Sequence, residues 1–418
     1  MSFLKKLDQT AFIICATLFI LLPFHAFFFT WFKSFFWTDS WTIIIQSWKE
    51  ILVGVLGILA LGKLISVKKF PHSRAFWLGV GLVILAISYL LFDGIWMQKI
   101  LGLRTATLFL IAFLSIQFFE FEKVKIEQLK RIVLLSGSVV IFFALAQKFL
   151  LPVDFLKHFG YSENVSSWLP GGNLPIYHLV GDSGMIRLQS TFAGPNQLGA
   201  YLLVILPLAI AELWRNRKKE NWWRYFLVAE ILGGILVLSL TFSRSAWLGA
   251  SAIFLLFAIY QWKQNLPQKL KAKLLFGGIL AIVALGIFGF SNEGLREIIT
   301  REASTSAHFE RTATAAQLVV ENPLGLGLGK TAGVSQRFEN PLTPENTYLG
   351  IALELGWLGG ILFLAFLTSL ALELKKADSE LFYSLVGIAV IALFLHPLED
   401  APTTLTLFLL AGVVNSPK

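Results

Sequence analysis

Residues 10–29, with the sequence TAFIICATLFILLPFHAFFF, decide the fold class because they are apolar over almost their whole length. A helix of about 20 apolar residues is long enough to cross the hydrocarbon core of a bilayer. Similar apolar runs recur along the chain, without the alternation of apolar and polar residues that is typical of membrane β-strands. The sequence therefore predicts an all-α, polytopic membrane protein.

The composition agrees with this prediction, since 56% of the 418 residues are hydrophobic and only 15% are charged. Soluble domains have roughly a quarter of charged residues. The first apolar run follows Lys5 and Lys6 as a signal peptide would, but it is long and lacks a small-residue cleavage site, so we expect a retained helix. Cys15 is the only cysteine, which excludes an intramolecular disulfide.

Apolar runs of spanning length predict about twelve transmembrane helices. Their predicted extents are 10–30, 46–66, 75–93, 100–119, 132–151, 194–213, 225–242, 246–262, 274–290, 346–371, 381–396 and 402–414.

The positive charges predict the orientation of these helices. Lysines and arginines concentrate in one set of connections, for example at Lys68–Lys69, at Lys123–Arg131 and at Arg215–Arg224. The positive-inside rule puts this side, together with both termini, in the cytoplasm. The net charge of +9 is thus mainly a topological signal, and we expect no binding of nucleic acid.

One integrated domain with two long loops on the opposite, outer side is expected. Its predicted segments are 1–151 (helices 1–5), 152–193 (first outer loop), 194–290 (helices 6–9), 291–345 (large outer loop) and 346–418 (helices 10–12). The large loop, between helices 9 and 10, reads as two short helices near Glu293–Arg301 and Ser304–Glu321. Asn322-Pro323 should end the second one, because a residue before proline is pushed out of the helical region.

Arginines beside the two outer loops are candidates for binding an anion. Arg187 precedes the sixth span, and Arg244 lies in TFSRSAW with apolar helix on both sides. Arg301, His308 and Arg311 form one cationic stripe if the Ser-Thr-Ser at 304–306 does not break their helix. The alternatives are an interfacial arginine at 187, a tight hairpin capped by Ser243, and an amphipathic helix lying on the membrane.

Carboxylates at the start of the tenth span are candidates for acid–base chemistry. Glu345 lies at the mouth of that helix, where it could act as a general base, while Glu354 lies deeper and is better placed to hold an arginine or a helix terminus. NPLGLGLGKT, residues 322–331, lacks the first glycine of a phosphate-binding P-loop, so we reject nucleotide binding and favour a turn. The histidines are scattered, and no residue spacing predicts a metal site.

Four segments together resemble the O-antigen ligase/polymerase family of bacterial membrane glycosyltransferases. They are RLQSTFAGPNQLGAYL (187–202), TFSRSAWLG (241–249), ERTATAAQLVVENPLGLGLG (310–329) and ENTYLGIALELGWLGG (345–360). Ligases of this family normally have histidine where this chain has Glu345, which favours a polymerase or a relative with another acceptor.

The resemblance implies glycosyl transfer on the outer face of the bacterial cytoplasmic membrane. The implied partners are an undecaprenyl-pyrophosphate-linked glycan donor, a glycan, lipid or protein acceptor, and membrane lipids, with neither a metal nor a cofactor. The residues assigned to catalysis are Glu345, Arg187, Arg244 and Arg311; those assigned to substrate binding are Asn196, Ser243, Arg301, His308, Asn346 and Tyr348; and those assigned to the structural motifs are Gly325, Gly327, Glu354, Gly356 and Gly359.

Two other function classes stay open at this point. Many helices and buried charges also suit a transporter or flippase of a lipid-linked or small anionic solute, although no inverted repeat is visible. A non-catalytic assembly partner of an envelope complex is the third alternative.

Overall fold

The computed structural model describes residues 3–35, 45–163, 173–181, 184–218, 220–263 and 302–416. Almost all regular structure in this part of the chain is helical, as predicted. The helices are α1 (Phe3–Leu21), α2 (His25–Lys33), α3 (Trp48–Val67), α4 (Arg74–Ser88), α5 (Trp96–Ile116), α6 (Lys123–Phe149), α7 (Pro195–Arg215), α8 (Trp222–Leu240), α9 (Arg244–Lys263), α10 (Glu302–Glu321), α11 (Ala332–Ser335), α12 (Thr347–Ala377), α13 (Ser379–Ile391) and α14 (Ala401–Val414).

Short elements connect these helices. Single turns of 3₁₀-helix lie at Leu22–Phe24, Tyr89–Leu91, Phe155–Phe159 and Pro397–Glu399, and β1 (His178–Leu179) pairs with β2 (Ile186–Arg187) in a small antiparallel hairpin. The hairpin has no counterpart in the sequence prediction, because two-residue strands leave no periodic signal.

Within the described residues, eight helical segments are long and apolar enough to cross a membrane, and three shorter apolar helices accompany them. The polytopic all-α prediction is thereby confirmed. The predicted span 274–290 and the short helix near 293–301 lie outside the described residues, so the total of about twelve stays a prediction. The predicted span 381–396 is too long, since α13 ends at Ile391 and turns follow it.

Helix ends follow the local sequence. Asn221 and Asp378 accept hydrogen bonds from the backbone amides three residues later, at 3.2 Å in both cases, as N-cap residues do. Pro195 occupies the first turn of α7, where a missing N–H leaves no hydrogen bond unmade. α10 continues through Ser304–Ser306 and ends at Glu321, directly before Asn322-Pro323, so the proline prediction is confirmed and the serines do not break the helix.

The core is centred on α14, whose residues from Pro402 to Val413 are all buried. Phe408 of this helix packs against Phe109 of α5, with 4.7 Å between ring centroids, and against Phe366 of α12 at 5.9 Å. Helix α14 carries Asp400 at its N-cap and thus holds this residue at a fixed place inside the bundle. The neighbouring helices then position their own first residues around it.

Two ends of the bundle differ in their charge chemistry. At one end Glu380 accepts from Lys130 at 3.0 Å and from Arg215 at 2.5 Å, which ties together α6, α7 and α13. We call the other end the loop end; it contains helix α10, the first residues of α3, α5, α7, α9, α12 and α14, the last residues of α8, and the segments 173–181, 184–193 and 322–346. All candidate residues of the sequence analysis that the structure describes, except those within α12, lie at the loop end.

Candidate functional site

Arg187 joins two parts of the loop end. It lies in β2, and its Nε donates to the carbonyl oxygen of Thr241 at 2.9 Å, while its Nη2 donates to Oδ1 of Asn196 at 2.8 Å. Asn196 belongs to the first turn of α7, and Thr241 follows the last residue of α8. The arginine is therefore held in a fixed direction by groups that sequence spacing alone would not have paired.

A tight turn joins α8 to α9 and presents Arg244. The turn contains Phe242 with φ +49° and the buried Ser243, whose Oγ lies 3.3 Å from Oγ of Ser245. It packs closely on α7, since a Cβ atom added at Gly199 would lie 2.7 Å from Cβ of Ala246. The hairpin alternative is thus correct as geometry, and it holds Arg244 at the first position of α9.

Glu345 lies immediately before α12 and between two side chains of α10. Arg311 donates from Nη1 to Oε1 of Glu345, and Nδ1 of His308 contacts the other oxygen, Oε2. Residues 308 and 311 are one turn apart on α10, so both face the same carboxylate. Glu345 has φ +51°, a conformation that non-glycine residues rarely adopt, which is typical of functional sites.

Burial and two nearby arginines shift the pKa of His308. Burial lowers the pKa of His308 below its ordinary value of 6.5, and the positive charges of Arg244 and Arg311 lower it further. His308 is therefore neutral at pH 7. Arg244 and Arg311 therefore both lie near His308, and Arg187 is bonded to the turn that precedes Arg244.

A break in α12 receives the glycine-rich loop. Gly356 has φ +66° and interrupts the helical backbone, while the N–H of Trp357 donates to the carbonyl of Pro323 at 2.9 Å. A Cβ atom at Gly325 would lie 2.5 Å from the nitrogen of Gly356, so neither position has room for a side chain. The alternating glycines thus form a packed turn, as favoured over a phosphate loop.

Comparisons with known proteins point to one family. A family model described as O-Antigen ligase matches residues 229–364, which contain Arg244, His308, Arg311 and Glu345. An O-antigen polymerase of Salmonella muenchen is 25% identical over 313 residues, covering 70% of this chain and 72% of that protein. Both matches support a relation of this chain to the O-antigen ligase/polymerase family. Together with the eight long apolar helices, this similarity indicates a multi-pass bacterial membrane protein.

Two residues predicted to bind substrate have structural partners. Asn346 accepts from the N–H of Leu349 at 3.0 Å as the N-cap of α12, and its Nδ2 donates to the carbonyl of Leu393 at 3.1 Å. The hydroxyl of Tyr348 donates to the carbonyl of Ala389 at 2.8 Å. The two side chains fix the start of α12 against the last turn of α13 and the turn that follows it, and Glu345 is positioned through them.

Glu354 and Gly359 stabilise the break in α12. Glu354 accepts hydrogen bonds from the backbone N–H of Thr331, at 3.1 Å, and from its hydroxyl, at 2.8 Å. Thr331 is the N-cap of α11, so Glu354 holds a helix terminus, one of the two partners considered for it. A Cβ atom at Gly359 would lie 2.3 Å from Cβ of Leu355, on the turn before it.

One predicted site residue lies outside the described part of the chain, and one residue near the site was not predicted. Arg301 lies outside the described residues. Within the described ranges, no group of three His, Cys, Asp or Glu side chains is arranged to hold a metal ion. His178, missed by sequence reasoning, pairs across the hairpin with Arg187, and burial lowers its pKa to about 4. Its only sequence signal was its place in the first outer loop.

Proposed function

We propose that this protein transfers or polymerises a glycan from an undecaprenyl-pyrophosphate donor to an acceptor hydroxyl at the outer face of the bacterial cytoplasmic membrane. The observation that supports this most directly is the contact of Arg311 with the carboxylate of Glu345, beside a histidine whose pKa is lowered by burial and by Arg244. The proposed orientation has the loop end outside and both termini in the cytoplasm. It is supported by the lysines and arginines that accumulate in the connections at the other end.

The proposed reaction is a displacement at the anomeric carbon of the donor glycan. The acceptor oxygen forms a bond to this carbon, the bond from the carbon to the pyrophosphate oxygen breaks, and its electron pair leaves with undecaprenyl pyrophosphate. The acceptor proton passes to Glu345. A carboxylate oxygen has two lone pairs, so each oxygen of Glu345 retains capacity to accept beside Arg311 and His308.

The arginines take the charge of the leaving group in this proposal. Negative charge grows on the pyrophosphate as the bond breaks, and preorganised cationic donors stabilise such charge most effectively when they need no rearrangement. Arg187 is preorganised by Thr241 and Asn196, and a planar guanidinium suits two-point contacts with phosphate oxygens. The proposal requires neither a metal nor a cofactor, because these three side chains supply the positive charge.

Catalysis by Glu345 gains from its setting between two donors. Arg311 stabilises the ionised carboxylate, which is the form that can accept a proton. An arriving pyrophosphate would compete for the same guanidinium and would thereby make the carboxylate more basic when substrate is bound. His308 is neutral and therefore adds no second positive charge beside Glu345. Its contact with the carboxylate does not lower the basicity of Glu345 further.

The test uses the purified full-length protein with an undecaprenyl-pyrophosphate-linked glycan and candidate acceptors. Release of the pyrophosphate lipid together with a lengthened or newly attached glycan is expected. Arg244→Ala and Arg311→Ala should lower turnover by about 10²-fold or more each, the scale of removing one donor to a developing charge. Full turnover in both variants would refute the site assignment.

The same preparation separates glycosyl transfer from transport. In proteoliposomes, movement of the lipid-linked glycan or of a small anion across the bilayer without any new glycosidic bond would favour the transporter alternative. Formation of a covalent product without net movement is the result that the proposed function requires.

A further inference from the structure

A separate cavity of about 270 Å³ lies at the loop end between the first turns of α3 and α14, helix α5, and the segments 191–193 and 333–337. Its charged and titratable lining consists of His25, Lys49, Arg104, Arg337, Glu399 and Asp400. None of these side chains belongs to the arginine–Glu345 site described above. Its volume is slightly below the roughly 300 to 1,000 Å³ typical of small-molecule sites, so it has room for one sugar unit rather than an oligosaccharide.

Two of its cations share a single carboxylate. Nζ of Lys49 lies 3.2 Å from Oε1 of Glu50, and the same oxygen accepts from Nε of Arg104 at 2.7 Å. Lys49 is 2% exposed and is also bonded to the carbonyl of Gln46 at 2.8 Å. One negative charge opposite two positive charges leaves this wall of the cavity with an excess of positive charge.

Arg337 adds a third cation from the opposite wall. Among the described residues its guanidinium makes no hydrogen bond or ion pair, and it lies near Glu399 in the lining of the same cavity. Burial lowers the pKa of Arg337, and so does the positive charge of Arg104. The guanidinium groups of Arg104 and Arg337 repel each other across the cavity, and an anion bound between them would relieve this repulsion.

The acidic residues of the cavity cancel only part of this charge, because Asp400, with a pKa raised by burial to about 6, is mainly ionised at pH 7 and Glu399 is not. Burial, and then the neighbouring Glu354, raise the pKa of Glu399 to about 8, so Glu399 is mainly protonated at pH 7. Asp400 accepts from the N–H of Thr403 at 3.2 Å as the N-cap of α14. A protonated carboxyl can donate to a sugar hydroxyl and an ionised one can accept from it, so these groups suit a polyhydroxylated ligand with one anionic substituent.

We propose that this cavity binds an acidic sugar unit, with its carboxylate or phosphate between Arg337, Arg104 and Lys49 and its hydroxyls on Glu399 and Asp400. The proposal rests on the proposed glycosyl transfer, because it assigns the cavity to one unit of the glycan substrates. The cavity and the arginine–Glu345 site are connected through shared segments. Residues 191–193 lie between Arg187 and Asn196, and residues 333–337 lead to Glu345.

The test measures binding of small probes to the purified full-length protein in detergent by titration calorimetry. The probes are methyl glucuronide, glucose 6-phosphate, methyl glucoside and inorganic phosphate. The cavity should bind methyl glucuronide or glucose 6-phosphate at least tenfold more tightly than methyl glucoside. Which of the two binds better tells whether the anion is a carboxylate or a phosphate.

Variants tie this binding to the cavity. Arg337→Gln should weaken binding of the acidic sugar about tenfold, Arg337→Lys less so, and Arg217→Gln, at the opposite end of the bundle, should leave it unchanged. Equal binding of charged and uncharged sugars, or unchanged binding in Arg337→Gln, would overturn the proposal. A third result would also overturn the proposal: inorganic phosphate binds as tightly as glucose 6-phosphate, and methyl glucuronide does not bind. The cavity would then be a site for simple anions.

These measurements need no turnover, so they are independent of the proposed function. Arg244→Ala should keep the binding of the acidic sugar while it loses release of the pyrophosphate lipid. Probe binding without any glycosyl transfer would contradict the proposed function alone. Transfer without binding that depends on Arg337 would contradict only the assignment of this cavity.

Discussion

Arg311 and Glu345 are 34 residues apart in the chain, and the guanidinium of the first donates directly to the carboxylate of the second. The contact joins α10, which belongs to the large loop, to the residue that precedes the N-cap of α12. His308 approaches the other oxygen of the same carboxylate. A loop helix and a transmembrane helix thus build the proposed catalytic group together, and each of the following predictions depends on this arrangement or on its supports.

Replacing the proposed base should abolish most of the activity. Glu345→Gln keeps the size of the side chain and one of its two acceptor oxygens but cannot take the acceptor's proton. Turnover should fall by about 10²- to 10⁴-fold, the contribution typical of general acid–base catalysis. Glu339→Gln, a change at an exposed carboxylate of the same loop, is the matched control and should keep wild-type turnover. A Glu345→Gln variant with full activity from pH 6 to 9 would end the proposed role.

Arg187 should not be replaceable by lysine. Its Nε and Nη2 bind two different groups, Thr241 and Asn196, and a single ammonium cannot reproduce this fork. We expect Arg187→Lys to lower turnover about tenfold or more with a smaller change in thermal stability, measured by release of the pyrophosphate lipid and by thermal unfolding. Arg217→Lys, at the other end of the bundle, serves as the control. Equal turnover of Arg187→Lys and wild type would show that the fork has no role in catalysis.

The break in α12 should tolerate no side chain. Gly356→Ala forces an alanine into φ +66° and places its Cβ 2.6 Å from the carbonyl oxygen of Pro323. The backbone conformation alone costs about 1–3 kcal/mol, and the clash adds to it, so a clearly lower midpoint of thermal unfolding is expected. Gly62→Ala in α3 meets no atom within 4 Å and should leave the midpoint nearly unchanged. Equal midpoints for both variants would contradict the described packing of the glycine loop.

His308 should make the protein less stable as the pH falls. Its pKa is lower in the folded protein than in the unfolded chain, so the unfolded chain binds more protons between the folded pKa and about 6.5. Stability is therefore complete above pH 6.5 and declines as the pH falls through this window. The raised pKa values of Glu399 and Asp400 have the opposite effect and increase stability as the pH falls. This effect is the same in wild type and in His308→Asn, so it cancels in their difference. The measurement is the difference in unfolding midpoint between wild type and His308→Asn from pH 5 to 7.5.

A pH-dependent difference that grows toward acidic pH is the expected result for His308. A constant difference over the whole range would mean that the imidazole takes up its proton equally in both states, contrary to the burial described here. The reverse sign, with wild type gaining stability over the variant as the pH falls, would mean that Glu345 holds His308 in its charged form.

Apolar runs alone predicted the all-α membrane fold and most helix positions, because the bilayer imposes a length and a composition on each spanning segment. The motif TFSRSAW likewise allowed for a tight hairpin at Ser243, and Pro323 marked the end of α10 correctly. These are local properties, for which neighbouring residues carry all the information. The family resemblance drawn from four short segments is confirmed by the family model and by the related polymerase.

Only the tertiary structure decided which side chains meet. The decisive contacts join residues from different segments of the chain. They are the hydrogen bond from Arg187 to Thr241, the contacts of Glu345 with His308 and Arg311, and the cavity between Lys49 and Arg337. No periodicity of the chain records such pairs, since they result from how helices pack and where loops return. The break at Gly356 illustrates the same limit: its sequence reads as continuous helix, and the glycine loop that fills it lies 30 residues earlier.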